Sequence, residues 1–443
     1  MSLLTSNINP NDELRRTFDQ FFTPQSRVIL GSLRVPYSKS AQFSTEAAQN
    51  ELIATPAQTA VSRLFGKNVP SAPCIGDHPD FLELKGTDDY CYCPITTMFM
   101  DIESSTRLGL LYPPETVFRV KNAFIQTAIE IIRSFGGHVH RIMGDSVMAY
   151  FGGRMTTVES SIIDCINCSA VLRHFAENVV HPKLQDEGIN HDFGIRIGLD
   201  FGPEKDVLWR SYGSPGVEEV TATSYYVDVA AKLQQAAPRN QAMMGQSIIS
   251  TICFPDELLK VKTITQDGSP VNSPIVLPNY TGKDGCSINY KQMQLLADSY
   301  LFCTPFGQQK DVLKRPLGGV KSVRVMATIH PKQYSLVNEG EYHPASRAIP
   351  KNKWLKFSVQ LPYQPMLPYE IRCIVENHGQ EAAIKGGETL GNHTDRYQIE
   401  TQHQHTTFSH WEYTAYRGLH YMTIEVWTHQ GLEYRTRFGV YVE

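Results

Sequence analysis

Hydrophobic positions in the middle of the chain repeat with two periods, and each period predicts an element. In PPETVFRVKNAFIQTAIEIIRSFGG, Val117, Val120, Phe124, Ala128, Ile129, Ile132 and Phe135 recur at helical spacing. Prolines precede that run and Gly136-Gly137 follow it, as expected of helix ends. HVHRIMGDSVMAYFGG gives two short strand-like runs on either side of Gly144-Asp145, a hairpin signal. A second helix is expected from about Thr157 to Val180. FGIRIGLDFG alternates strictly, with Phe193, Ile195, Ile197, Leu199 and Phe201 on one face. Gly194, Arg196, Gly198, Asp200 and Gly202 take the other, which predicts a half-buried strand over which something packs closely. YYVDVAAKLQQAA predicts a third helix, ending at Pro238. The order strand, helix, hairpin, helix, strand, helix, strand predicts an α+β fold with helices on a mainly antiparallel sheet.

Outside this stretch the pattern changes. Residues 1–90 are mixed, with one short amphipathic helix expected from Asn11 to Phe22, before Pro24; they read as an extension packed on the neighbouring domain. Residues 91–310 hold the α+β pattern. KRPLGGVKS then reads as a linker, and residues 322–443 carry many short alternating runs, such as YEIRCIVENHG and YMTIEVWTHQG, expected to form an all-β sandwich.

Composition removes some classes of function. At 443 residues the chain exceeds one typical core, so two or three domains are expected. A net charge of -4 gives no reason to expect a nucleic-acid polymer as partner. No apolar run approaches the roughly 20 residues of a membrane helix, and the first residues lack a basic segment followed by an apolar one. No membrane association and a cytoplasmic location are therefore expected. Cys91 and Cys93 are one residue apart, and Cys165 and Cys168 form a CxxC inside the second helix. No second pair with zinc spacing accompanies them, so they read as buried free thiols.

The candidate chemistry starts at TTMFMDIESSTRLG. The apolar run Met98-Phe99-Met100 ends at Asp101, followed by Glu103 and hydroxyl residues. Asp101 at a strand end and Asp145 at a hairpin tip can be neighbours in an antiparallel sheet. Two hard carboxylates with a backbone carbonyl suit Mg²⁺ or Mn²⁺ held with phosphate oxygens. The competing reading is a capping Asp and a turn Asp.

MFMDIESSTRLG, GGHVHRIMGDSVMAYFGG, FGIRIGLDFG and YYVDVAAKLQQAAP resemble, in order and spacing, the catalytic core of class III nucleotidyl cyclases, over about Thr96 to Ser250. The resemblance implies that Asp101 and Asp145 hold two metal ions, with the backbone carbonyl of Ile102. It also implies a homodimer with active sites at its interface. Arg141 falls on the first base-reading position and Thr221 on the second. Asp228 stands where the family has its transition-state Asn, and Lys232 where it has Arg. Asp for Asn turns a donor into an acceptor, and Lys keeps the charge without the bidentate fork; both also fit an ordinary solvated helix face.

Arg offers paired donors and no acceptor. Cytosine shows two adjacent acceptors, O2 and N3, so CTP is preferred, with UTP open and guanine not excluded. Tyr225 and Tyr226 either narrow the pocket towards a pyrimidine or pack the helix start. LPYEIRCIVENHGQEA, KGGETL and WEYTAYRGLHYMTIEVW resemble the adenylyl/guanylyl cyclase and SMODS C-terminal sensor domain. A cyclase core joined to that domain resembles the pyrimidine cyclases of Pycsar anti-phage defence. That resemblance implies cyclic CMP, or cyclic UMP, made to activate a separate effector protein. Trp411, Tyr413, Tyr416 and His420 are expected mostly to fill the sandwich core rather than line a sensing surface. A cyclase-like nucleotide sensor without turnover and an ordinary adenylate cyclase are the competing readings. The intact carboxylate pair disfavours the first and Arg141 the second.

Overall fold

The computed structural model describes residues 9–23, 54–68, 75–190, 192–266, 268–275, 290–306, 323–362, 369–400, 405–429 and 431–443. The stretch read as a linker, 314–322, lies outside the described residues. Helices α1 (Pro10–Phe22) and α2 (Pro56–Phe65) come first. Asn9 caps α1, its side chain accepting from the Asn11 N–H at 3.1 Å, and Thr55 and Gln58 cap α2 reciprocally.

Next in the chain are β1 (Tyr90–Tyr92), β2 (Ile95–Glu103), α3 (Ser105–Leu111), α4 (Pro114–Ser134), β3 (Gly137–Met143), β4 (Ser146–Phe151) and α5 (Val158–Phe175). After them come α6 (His181–Asp186), β5 (Gly194–Gly202), β6 (Leu208–Tyr212), β7 (Glu219–Thr223), α7 (Tyr225–Ala236), β8 (Gln241–Gly245) and α8 (Gln246–Ile252). The α+β part closes with β9 (Leu259–Val261), β10 (Thr263–Gln266), β11 (Ser269–Asn272), β12 (Gln292–Leu295) and α9 (Ala297–Leu301).

Seven strands form one sheet in the order β3-β4-β2-β5-β8-β12-β9, antiparallel except for β5 and β8. β1, β6 and β7 make a separate three-stranded sheet that the apolar pattern did not predict. Leu14, Phe18, Val61 and Phe65 join the core of α4 and the sheet, so the two N-terminal helices cover it.

The 193–202 strand departs from the half-buried expectation: β5 is buried on both faces except at Arg196. α7 crosses its polar face so closely that a Cβ on Gly198 would lie 2.1 Å from the Gln234 nitrogen and 2.3 Å from the Ala230 oxygen. The second helix also runs further than expected, through a π turn at Ala176–Val180 into α6. Pro182 stands at the start of α6, and lacking an N–H it cannot bond to Asn178, so the turn widens there. Cys165 and Cys168 are fully buried in α5, and burial raises both thiols well above their ordinary pKa.

The rest of the chain is β13 (Arg324–His330), β14 (Gly340–Tyr342), β15 (Ala348–Ile349), β16 (Trp354–Pro362), β17 (Tyr369–Glu376), α10 (Gln380–Lys385), β18 (His393–Ile399), β19 (His405–Tyr413), β20 (Gly418–Thr428) and β21 (Gly431–Val442). They form a sandwich of sheets β14-β13-β16-β19 and β15-β21-β20-β17-β18, around Leu355, Phe357, Ile371, Ile424 and Phe438. The expected core aromatics are corrected here. Only His420 is buried; Trp411 and Tyr416 are half-buried and Tyr413 is exposed. Alternation along β19 turns His410 inward, which sends Trp411 out to His330 and Tyr334.

The sandwich and the α+β part share a core. Ala345, Leu419, Tyr421 and Tyr441 pack in the same apolar cluster as α5 and the seven-stranded sheet. Asn167 of α5 donates to the Ala345 carbonyl at 2.8 Å and accepts from the Tyr300 hydroxyl at 2.8 Å. Tyr441 donates in turn to Tyr300 at 3.2 Å. α5 is buried on nearly every side, as a helix enclosed by two layers must be, and its buried polar side chains are among those that bond across the layers.

Candidate functional site

Asp101 and Asp145 come together through strand register. β2 pairs with β4 so that Asp101 faces Ser146, and the Ile102 N–H donates to the Asp145 carbonyl at 3.3 Å. The β3–β4 connection is the two residues Gly144-Asp145, with Gly144 at φ 67°, a conformation glycine adopts without strain. The turn chemistry therefore sets Asp145 beside the end of β2.

Both carboxylates carry positive neighbours. Arg196 of β5 donates to Asp101 Oδ2 at 2.6 Å and Ser146 Oγ donates to Oδ1 at 2.8 Å. Lys121 Nζ of α4 lies 3.9 Å from Asp145 Oδ2. Two hard oxygen donors, one at the end of β2 and one in the adjacent β3–β4 turn, with the Ile102 backbone bonded to Asp145, fit a divalent cation with phosphate oxygens. Arg196 fixes the Asp101 carboxylate by holding one of its two oxygens, which leaves further lone pairs for a metal.

Arg141 and Thr221 form a second group. Arg141 Nε donates to Glu219 Oε2 at 2.9 Å, and its Nη2 pairs with the other carboxylate oxygen. Thr221 Oγ1 lies 3.2 Å from the Tyr150 hydroxyl, which accepts from the Ala222 N–H at 3.4 Å. Tyr150 is buried, and burial raises its pKa, so the neutral phenol is free to donate to Thr221. β3, β4 and β7 thus bring Arg141, Glu219, Tyr150 and Thr221 into one constellation.

Asp228 and Lys232 lie apart from both groups, exposed on α7 one turn from each other. Neither side chain has a hydrogen bond or ion pair among the described residues, so a second chain or a ligand can reach them. Tyr225 and Tyr226 stack edge to face at 5.4 Å and both meet Tyr290, which places them against the helix start.

Sequence reasoning missed Arg196, Ser146, Lys121 and Glu219. Arg196 stood out as a charge on the polar face of β5, and Glu219 as a carboxylate in VEEVTATSYY. Their partners depend on register and on the β6–β7 hairpin, which periodicity did not reveal.

Residues 320–443 match the family described as the adenylyl/guanylyl and SMODS C-terminal sensor domain. Two relatives from Escherichia coli, each named cytidylate cyclase, are 37% and 33% identical, covering 88% and 90% of this chain and 84% and 90% of their own. A third cytidylate cyclase, from Staphylococcus aureus, is 31% identical and covers 92% of this chain and 90% of its own length. Among solved structures, the adenylyl cyclase CyaB from P. aeruginosa matches at 18% identity over 47% of this chain and 95% of that one, with a TM-score of 0.38. The guanylyl cyclase Cya2 matches at 17% identity over 47% and 92%, with a TM-score of 0.36. These two are too distant to add to what the cytidylate cyclases show.

Proposed function

The chain belongs to the class III nucleotidyl cyclases that carry an adenylyl/guanylyl cyclase and SMODS C-terminal sensor domain, and from that premise we propose that it converts CTP to 3′,5′-cyclic CMP and pyrophosphate. Its relatives' names support a cytosine substrate. The observation that carries the reading is the Arg141–Glu219 pair. Cytosine offers a donor, the N4 amine, beside two acceptors, N3 and O2. Glu219 supplies the acceptor for the amine, and Arg141 keeps three of its five N–H donors for N3 and O2. Uracil puts an acceptor where the amine was and a donor at N3. Adenine matches the amine and one acceptor but lacks the third group.

In this reading Asp101, Asp145 and the Ile102 carbonyl hold Mg²⁺ or Mn²⁺, which when bound supplies positive charge to the reacting oxygens. Arg196 and Ser146 keep the Asp101 carboxylate in place for it. The 3′-hydroxyl gives up its proton to solvent, and its oxygen bonds to the α-phosphorus as the bond from that phosphorus to the β-phosphate oxygen breaks and pyrophosphate leaves. Lys232 and Asp228, exposed on α7, reach the triphosphate and ribose of a nucleotide held by a partner subunit in a homodimer. Orientation and charge placement supply most of the rate. The product serves as a messenger to a separate effector protein in anti-phage defence, a role supported by the joining of a cyclase to a sensor domain.

The test is one incubation of the purified protein with Mn²⁺ and all four ribonucleoside triphosphates, read by mass spectrometry. Cyclic CMP is expected. Cyclic UMP as the main product would overturn the reading of Glu219, and a cyclic purine would overturn the pyrimidine assignment altogether.

A further inference from the structure

A polar cluster that the nucleotide chemistry does not use lies at the rim of the sandwich. His393 and Asp395 lie on β18, an edge of the five-stranded sheet; His410 and Glu412 lie on β19, an edge of the four-stranded one. One ligand atom from each of His393, Asp395 and Glu412 falls within 4.8 Å of the other two. Glu412 Oε1 is 2.9 Å from His393 Nε2 and 3.2 Å from His410 Nε2.

The outer nitrogens are already engaged. His393 Nδ1 lies 3.1 Å from the Gly391 carbonyl, and His410 Nδ1 lies 3.2 Å from the Tyr397 hydroxyl. A carbonyl oxygen only accepts, so His393 Nδ1 carries a proton and Nε2 faces Glu412. A nitrogen lone pair and a carboxylate oxygen at 2.9 Å need a positive centre between them. His410 is 4% exposed and fixed by its two partners, so it anchors the Glu412 oxygen.

We propose that this cluster binds a zinc ion, with His393 Nε2, Asp395 and Glu412 as protein ligands and with His410 and Gly391 as the groups that orient them. One imidazole and two carboxylates suit zinc better than Mg²⁺ or Ca²⁺, which favour all-oxygen shells. Zinc ligands at about 2.0–2.2 Å stand roughly 3.3 Å apart in a tetrahedron. Asp395 therefore closes in while the His393–Glu412 pair, at 2.9 Å, opens by about 0.4 Å, the ion sits between them, and a fourth position is left for water. The ion ties the edge of one sheet to the edge of the other, beside the pocket that Glu412 lines with Asn377, Tyr413 and Tyr416.

The test uses the full chain, free of any tag and stripped with chelator, titrated with zinc chloride by calorimetry and followed by thermal melting. His393→Ala and the isosteric Glu412→Gln serve as variants; His393 is 43% exposed, so its loss leaves the fold intact. The wild type should bind one zinc at least about tenfold more tightly than either variant, and zinc should raise its melting temperature alone. Cobalt(II) should give visible ligand-field absorption in the wild type and lose it in both variants. Cyclase activity with Mn²⁺ should be the same in all three, which separates this site from Asp101 and Asp145. Equal zinc affinity in the three proteins, or a zinc-induced melting shift that survives both substitutions, would overturn the proposal.

Discussion

Glu219→Gln perturbs the base-reading pair at one atom. The carboxylate spans Arg141 Nε at 2.9 Å and Nη2, and in the proposed complex it also accepts from the cytosine amine. A hydrogen bond to a charged group contributes about 1.5–3 kcal/mol. In the free protein Arg141 is 42% exposed and Glu219 30%, so water screens the pair and the lower end applies. That end corresponds to roughly tenfold in rate. A Gln amide carries both a donor and an acceptor and can turn either one towards the base. Discrimination should therefore relax, with UTP turnover rising while CTP turnover falls. Equimolar CTP and UTP supplied together, with the cyclic products separated by mass, give the ratio of kcat/KM values directly. The cyclic CMP to cyclic UMP ratio should drop about tenfold. A ratio unchanged in a variant that melts like the wild type would refute the role of Glu219. If Arg141→Ala also left it unchanged, the base would be read elsewhere.

Asp101→Ala should lower turnover by about 100- to 1,000-fold or more. Its melting temperature should move little, because Arg196 is 31% exposed and can reach water once unpaired. Asp200 is fully buried, accepts from the Tyr290 hydroxyl at 2.6 Å, and burial raises its pKa to about 8. The folded state then holds a proton that the unfolded chain loses near pH 4, so stability from this group is present below pH about 4 and is lost up to pH about 8. Asp200→Asn should remove that slope, about 1.4 kcal/mol per pH unit, and denaturant titrations at pH 5 and 8 would show no difference from wild type if this is wrong. Gly198→Ala, favourable by strand propensity alone, should cost roughly 1–3 kcal/mol here because its Cβ meets α7 backbone at 2.1 Å; a melt at or above the wild-type temperature would contradict the close crossing.

The helices and the hairpin were legible because each announces itself within a few residues. The periodic apolar face of α4, the prolines before it and the glycines after it are all local, and so is the Gly144-Asp145 turn. Asp101 and Asp145 were legible as a pair through the resemblance of the motifs around them, because the β2–β4 register that joins them spans distant parts of the chain. β1, β6 and β7 were not, since they are short, and β1 finds its partner β6 more than a hundred residues later. Glu219 went unread for the same reason: its meaning comes from Arg141, 78 residues earlier. The aromatic-rich segment from Trp411 misled in another way. Composition suggested a core, but the direction of each side chain depends on strand phase, and His410 took the inward place.

Asn167, held between the Tyr300 hydroxyl and the Ala345 carbonyl, has a consequence for heredity. Genes that trade modules recombine most safely where few contacts span the joint, and the apparent joint here is the stretch before β13. The true seam runs through α5 and α9, well upstream. A chimaera that takes a new sandwich at that joint inherits one half of a buried polar lock and leaves the other half behind. Productive exchanges between relatives should therefore carry Asn167, Tyr300 and the sandwich as one inherited block.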